Sequence, residues 1–125
     1  MITHSVIQGT PEWRALRADY DTASEAQAMM GASPYMTRDE LLQQKFTGIV
    51  PEVNEHHQAL FDRGHAAEAA AREILEAVLG EELYPVTGSI EVDGLSLLAS
   101  MDGMNLNGNI LFEHKLWNEK LAALV

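Results

Sequence analysis

The chain has no cysteine, so neither a disulfide framework nor a thiolate metal site is open to it. Basic residues are scarce: eight Lys and Arg stand against nineteen Asp and Glu, a net charge of −11 at pH 7. A field of that sign repels polyanions, and taken alone it argues against a nucleic-acid partner. Divalent cations and a few focused arginines can nonetheless hold a phosphate backbone over an acidic cleft. No apolar run reaches the roughly 20 residues of a membrane helix, so no membrane partner is expected. The opening "MITHSVIQGTPEW" has neither the basic start nor the apolar stretch of a secretory signal. With 46% hydrophobic and 22% charged residues, the composition is that of a soluble globular protein, and a cytoplasmic location is expected. At 125 residues, one domain over 1–125 with a modest core is expected.

Helix signals fill the first half. Thr10-Pro11-Glu12 combines an N-cap, a proline at the first helical position and an acid in the first turn; Trp13, Leu16, Arg17 and Tyr20 then share one face. "TASE" (22–25) and "TRDE" (37–40) fit capping boxes, the first opening a short helix to Gly31, the second a helix ending near Gly48. After Pro51 the longest helix is expected from Asn54 to Gly80, with Leu60, Ala71, Leu75, Val78 and Leu79 on its apolar stripe and Gly64 as a point of bending or close packing. Beyond residue 83 the pattern becomes strand-like. Asp93-Gly94, Asp102-Gly103 and Asn107-Gly108 read as turns, the last as the strongest hairpin signal. A final helix is expected from about Asn118. Helices followed by an antiparallel β-meander make an α+β, or mixed α/β, domain. The sequence stops inside the last helical pattern, which reads as a truncation.

Along "NILFEHK" (109–115), alternation places Leu111, Glu113 and Lys115 on one face and Ile110, Phe112 and His114 on the other. Both faces carry apolar residues, so Glu113 and Lys115 are expected to be at least partly desolvated. Asp102 can approach Glu113 across the hairpin, and Glu68 falls within the apolar stripe of the long helix. Carboxylates converging in a partly dry pocket repel unless protons or a cation neutralise them. Oxygen donors of this kind suit Mg²⁺ or Mn²⁺, and a lysine beside them can hold or help deprotonate water and stabilise charge on a phosphate. A Glu-x-Lys pair on a strand is equally the pattern of a solvated ion pair, and Asp-Gly that of a plain turn.

Asp102-Gly103 followed by Glu113-x-Lys115 resembles the PD-(D/E)xK nuclease signature. "QGTPEWRALRADYDTASEAQAMMGASPY" (8–35), "TGIVPEVN" (47–54) and "RGHAAEAAAREILE" (63–76) narrow the resemblance to the lambda-exonuclease-like, or YqaJ-like viral recombinase, family. It spans nearly the whole chain with its motifs in order. The resemblance implies a PD-(D/E)xK core and a Mg²⁺- or Mn²⁺-dependent exonuclease that hydrolyses linear duplex DNA from a 5′-phosphorylated end. Glu68, Asp102, Glu113 and the backbone carbonyl of His114 would bind metal. Asp102, Glu113 and Lys115 would carry catalysis, and Arg17 with Ser24 would receive the 5′-phosphate. It further implies a homo-oligomer, commonly a trimer, and a single-strand annealing protein as partner. Met101 stands where the family usually has proline, and Leu116-Trp117 where it often has Cys-Pro. The glutamine-containing helix and further strands expected beyond the signature are not in this sequence.

Two other readings remain open. A PD-(D/E)xK endonuclease would cut internally and leave Arg17 and Ser24 without an end-binding role. A non-catalytic acidic module would bind a basic protein through the same carboxylates. Adjacent His56 and His57 point about 100° apart on a helix and, even with His65 further along, no third ligand has suitable spacing, so they read as solvated helix residues; Met29 and Met30 read as core or interface filler.

Overall fold

A computed structural model describes residues 1–50 and 52–125; Pro51, within the "TGIVPEVN" segment, lies outside the described residues. In chain order the elements are β1 (Ile2–His4), α1 (Pro11–Ala18), β2 (Asp21–Thr22), a 3-10 turn (Ala23–Glu25), α2 (Ala26–Met29), α3 (Arg38–Thr47), α4 (Glu55–Leu79), β3 (Tyr84–Val92), β4 (Leu95–Met104), β5 (Leu111–Phe112) and α5 (Glu119–Leu124). This is an α+β fold. No described helix is long and apolar enough to cross a membrane.

The sheet runs β1-β3-β4-β2, with β5 also on β4. The expected antiparallel meander is present as β3, β4 and β5, but the sheet is not antiparallel throughout: β2 lies parallel to β4, with Asp21 beside Leu97 and Thr22 beside Leu98. Asp93 (φ 51°) and Gly94 (φ 80°) make the tight turn between β3 and β4, both in the left-handed region that a type I′ hairpin demands.

The chain divides into two compact units. The first joins residues 1–50 to Val86–Ser100. Thr10 caps α1 by accepting the N–H of Trp13, and Trp13, Leu16, Arg17 and Tyr20 form its less exposed face, as the pattern predicts. Thr37 caps α3 by accepting the N–H of Glu40, and Gly48 (φ 71°) closes it. "TASE" departs from expectation. Thr22 is the end of a parallel strand and donates its hydroxyl to the Glu25 carboxylate, so the capping box does not form. Ala28, Leu41 and Leu98 are the buried apolar residues of this unit.

The second unit joins Glu52–Pro85 to Met101–Val125. Helix α4 has the predicted ends, Asn54 accepting the N–H of His57 and Gly80 (φ 71°) as C-cap. Its shielded face is Gly64, Ala67, Glu68, Ala71, Arg72, Leu75 and Glu76, a helical stripe that carries three charged residues. Leu60, Val78 and Leu79, predicted for that stripe, are exposed. Leu83 is the buried apolar side chain of this unit.

Candidate active site

In the second unit the acid of the signature sits within a strand and not at a turn. Asp102 and Gly103 are consecutive buried residues of β4. Gly103 is there for space: a Cβ would meet Leu83 Cβ at 3.2 Å and Phe112 Cβ at 3.3 Å. The missing side chain lets β5 pair closely, Gly103 opposite Phe112 and Met104 opposite Leu111. Two residues further on, the main-chain N–H of His114 donates to Asp102 Oδ2 at 2.7 Å. The connection between β4 and β5 is not the two-residue turn that Asn107-Gly108 suggests. Asn105, 3% exposed, organises it instead: Oδ1 accepts the N–H groups of Asn109 and Ile110, and Nδ2 donates to Asn109 Oδ1 and Glu81 Oε2.

Glu68 lies on the shielded face of α4, as predicted, with 13% of its side chain exposed. Its partner is Arg72, whose Nη2 donates to Glu68 Oε1 at 2.8 Å while Nε donates to the main-chain carbonyl of Asp102 at 3.0 Å. One guanidinium thus ties the helical acid to the strand acid. Arg72 was not among the expected site residues, although Glu68 and Arg72 stand at the i, i+4 spacing of a helical ion pair. His65 Nδ1 lies 3.6 Å from Glu68 Oε2.

Glu113 and Lys115 pair with each other, and their side chains are 57% and 68% exposed. The expectation of desolvation is therefore corrected. Pairing of β5 stops at Phe112, so the next residues leave the sheet and their outward face stays in water. Lys115 has its pKa raised, first by the hydrogen bond to Glu113; modest desolvation opposes this, and the charges of Glu113, Asp102 and Glu68 add to it. The lysine thus feels all three predicted metal-binding carboxylates. Among the described residues, no three acids or histidines come close enough together to hold a metal ion. The donors are carboxylate oxygens, the chemistry Mg²⁺ and Mn²⁺ require, so the set fits such an ion in kind. A cleft lined by Glu81, Glu82, Tyr84, Asn105, Leu106 and Asn107 includes none of the predicted site residues.

The first unit holds the other predicted pair. Arg17 Nη2 donates to Ser24 Oγ at 3.0 Å, so residues seven apart in sequence are brought into contact. The guanidinium carbon lies 4.4 Å from the centre of the Trp13 ring. Glu25, expected as the acid of a capping box, instead accepts from Arg17 at 3.0 Å and from the Thr22 hydroxyl at 2.6 Å. Its other oxygen, closed off from solvent, has Lys45 Nζ at 3.1 Å as an ion pair with no hydrogen bond aligned on it. Burial lowers the Arg17 pKa and Glu25 raises it; arginine remains charged at physiological pH in any case.

Residues 12–122 match the YqaJ-like viral recombinase domain. The chain belongs to that family. Every site residue named above, from Trp13 to Lys115, falls inside the matched span. The family ties the chain to phage recombination, to a DNA substrate and to nucleases that generally depend on a divalent metal. No curated protein matches the sequence.

Proposed function

We propose that this single domain is a metal-dependent deoxyribonuclease with a PD-(D/E)xK core, degrading linear duplex DNA from a 5′-phosphorylated end. The observation that carries the reading is the set of contacts around the signature: Arg72 ties Glu68 to the main chain at Asp102, the His114 N–H holds the Asp102 carboxylate, and Glu113 pairs with Lys115. Glu68, Asp102, Glu113 and the carbonyl of His114 are the groups that would hold Mg²⁺ or Mn²⁺. A bound ion would polarise the scissile phosphate and lower the pKa of a bound water.

The residues of the chain do the rest. Lys115, kept protonated by its neighbours, donates hydrogen bonds to the attacking water and to the phosphate oxygens as charge develops on them. Asp102 is held by a main-chain donor and Glu68 by Arg72, so the two shielded acids are pre-oriented. Arg17 and Ser24 receive the terminal phosphate: Nη2 serves Ser24 and Glu25, and a guanidinium has three further N–H donors on Nε and Nη1. The family resemblance supports action as a homo-oligomer, commonly a trimer, with a single-strand annealing protein taking the 3′ overhang; the composition supports a cytoplasmic location.

Digestion of 5′-phosphorylated linear duplex beside closed circular DNA, with Mg²⁺ and with EDTA, tests this. Loss of the linear substrate alone, abolished by EDTA and by Lys115→Ala, is the expected result. Cutting of the circle selects an endonuclease. The pairing of Glu68 with Arg72 and of Glu113 with Lys115 favours, as second reading, a non-catalytic acidic module. Under that reading Mn²⁺ does not bind, and Glu113→Ala changes nothing in a metal titration.

A further inference from the structure

We propose that Glu25 is a positioning residue for end recognition, fixing the Arg17 guanidinium so that it and the Ser24 hydroxyl meet a 5′-phosphate together. The inference rests on the reading of Arg17 and Ser24 as the phosphate-binding pair. An arginine seven residues from a serine has many rotamers and, from spacing alone, no reason to favour one. Here it is held on three sides. Trp13 supports its face at 4.4 Å, and Trp13 is itself fixed by its indole N–H to Ser100 Oγ on β4 at 2.9 Å. Glu25 Oε1 takes one donor of Nη2 at 3.0 Å, and Ser24 Oγ lies 3.0 Å from the same nitrogen. Lys45 Nζ, from α3, donates to the main-chain carbonyls of Arg17 at 2.7 Å and Tyr20 at 2.8 Å, closing the end of α1.

Glu25 is where these threads meet. Its carboxylate gathers Arg17 from α1, Thr22 from β2 and Lys45 from α3, with 17% of the side chain exposed. Two cations against one carboxylate leave the group positive, so the acid orients the arginine without cancelling its attraction for phosphate. Reach and charge make separable demands. Glutamine at 25 keeps the reach and an acceptor oxygen while losing the charge; aspartate keeps the charge while falling short by one methylene.

Binding to hairpin-closed duplexes with one open end, bearing either a 5′-phosphate or a 5′-hydroxyl, reads this directly by fluorescence anisotropy. EDTA is present so that no strand is cut. The wild-type chain should favour the phosphate by roughly tenfold, the size of one charge-assisted contact, and Arg17→Ala should erase the preference. Glu25→Gln should keep the preference to within about twofold, whereas Glu25→Asp should lower it by at least about threefold. Thr22→Val, which withdraws one donor from Oε1 and leaves Glu25 in place, should lower it in the same direction, so that the outcome does not hang on one variant's folding. A full preference in both Glu25→Asp and Thr22→Val overturns the inference, as does an equal loss in Glu25→Gln and Glu25→Asp, which would make charge and not position decisive. No preference in the wild-type chain, unaltered by Arg17→Ala, instead removes the phosphate reading on which the inference stands.

Discussion

The main-chain N–H of His114 points at Oδ2 of Asp102 over 2.7 Å, linking the acid of one strand to the residue between the glutamate and lysine that follow. The bond is shielded, since Asp102 is 8% exposed. Asp102→Ala should therefore leave an unsatisfied N–H and cost about 1–3 kcal/mol in urea unfolding. Asp102→Asn retains an acceptor and should cost about 1 kcal/mol or less, while lowering Mg²⁺-dependent cleavage by at least about a hundredfold. Equal stability of the alanine variant and the wild type would show that the bond is not made in solution.

Lys115 is expected to separate function from stability. Its pair with Glu113 is largely in water, so Lys115→Met should alter unfolding free energy by less than about 0.5 kcal/mol. Cleavage should fall by about a hundredfold or more, because the donor to the developing phosphate charge is gone. Urea melts beside initial rates on linear duplex check both halves.

The pH dependence follows from the sign of the Lys115 shift. The hydrogen bond to Glu113 and the nearby acids raise its pKa above the ordinary 10.5. A lysine with a raised folded pKa contributes its stabilisation fully below the unfolded value and loses it as pH climbs through the folded one. The contribution of Lys115 should accordingly be constant through neutral pH and fade only on the alkaline side of 10.5. An NMR titration of its side-chain ammonium locates that loss; titration below the ordinary lysine value would contradict the pairing.

Arg72 should matter to Glu68 and to the main chain at 102 at once. Removing it leaves a shielded carboxylate without its cation, so Arg72→Ala should destabilise by about 1–3 kcal/mol. Arg72→Lys should recover only part of this, because one ammonium lacks the fork that spans both acceptors. A double-mutant cycle with Glu68→Ala should return a coupling of at least about 0.5 kcal/mol. Strict additivity would sever the link between them.

Asn105 should be the most sensitive position of the β4–β5 connection. It is buried and makes four hydrogen bonds through its side chain. Asn105→Ala should cost about 1–3 kcal/mol, and Asn105→Asp should fare no better because Glu81 would then face a like charge. Thermal melts of the two variants provide the measurement.

What the sequence disclosed was local. The caps at Thr10, Thr37 and Asn54, the glycines at 48 and 80, and the Asp93-Gly94 turn follow from backbone chemistry within a few residues. The position of Glu68 on a shielded helical face was legible from period alone. Asp102-Gly103 looked like a turn because the dipeptide favours one; only packing against Leu83 and Phe112 reveals a strand that needs the glycine. "TASE" looked like a capping box until Thr22 was claimed by β4. Glu25 was legible only as a capping-box acid beside Thr22; its ion pairs with Arg17 and Lys45, like the contact of Asn105 with Glu81, come from other elements, and no spacing rule anticipates them. Arg72 was within reach of such a rule, having the i, i+4 relation to Glu68.

Arg72 takes hold of residue 102 by its peptide carbonyl and not by its carboxylate. Every amino acid brings that carbonyl, so the grip on β4 is indifferent to which side chain occupies the position. Substitution at 102 therefore edits the proposed chemistry while the helix–strand tie stays in place, whereas substitution at 68 removes a proposed ligand and loosens its anchor in one stroke. Two acids with the same proposed duty are unequal as experimental handles: Asp102→Asn keeps both the tie to Arg72 and an acceptor for the His114 N–H, so its loss of activity can be assigned to the reaction, whereas a loss at 68 must first be divided between reaction and scaffold.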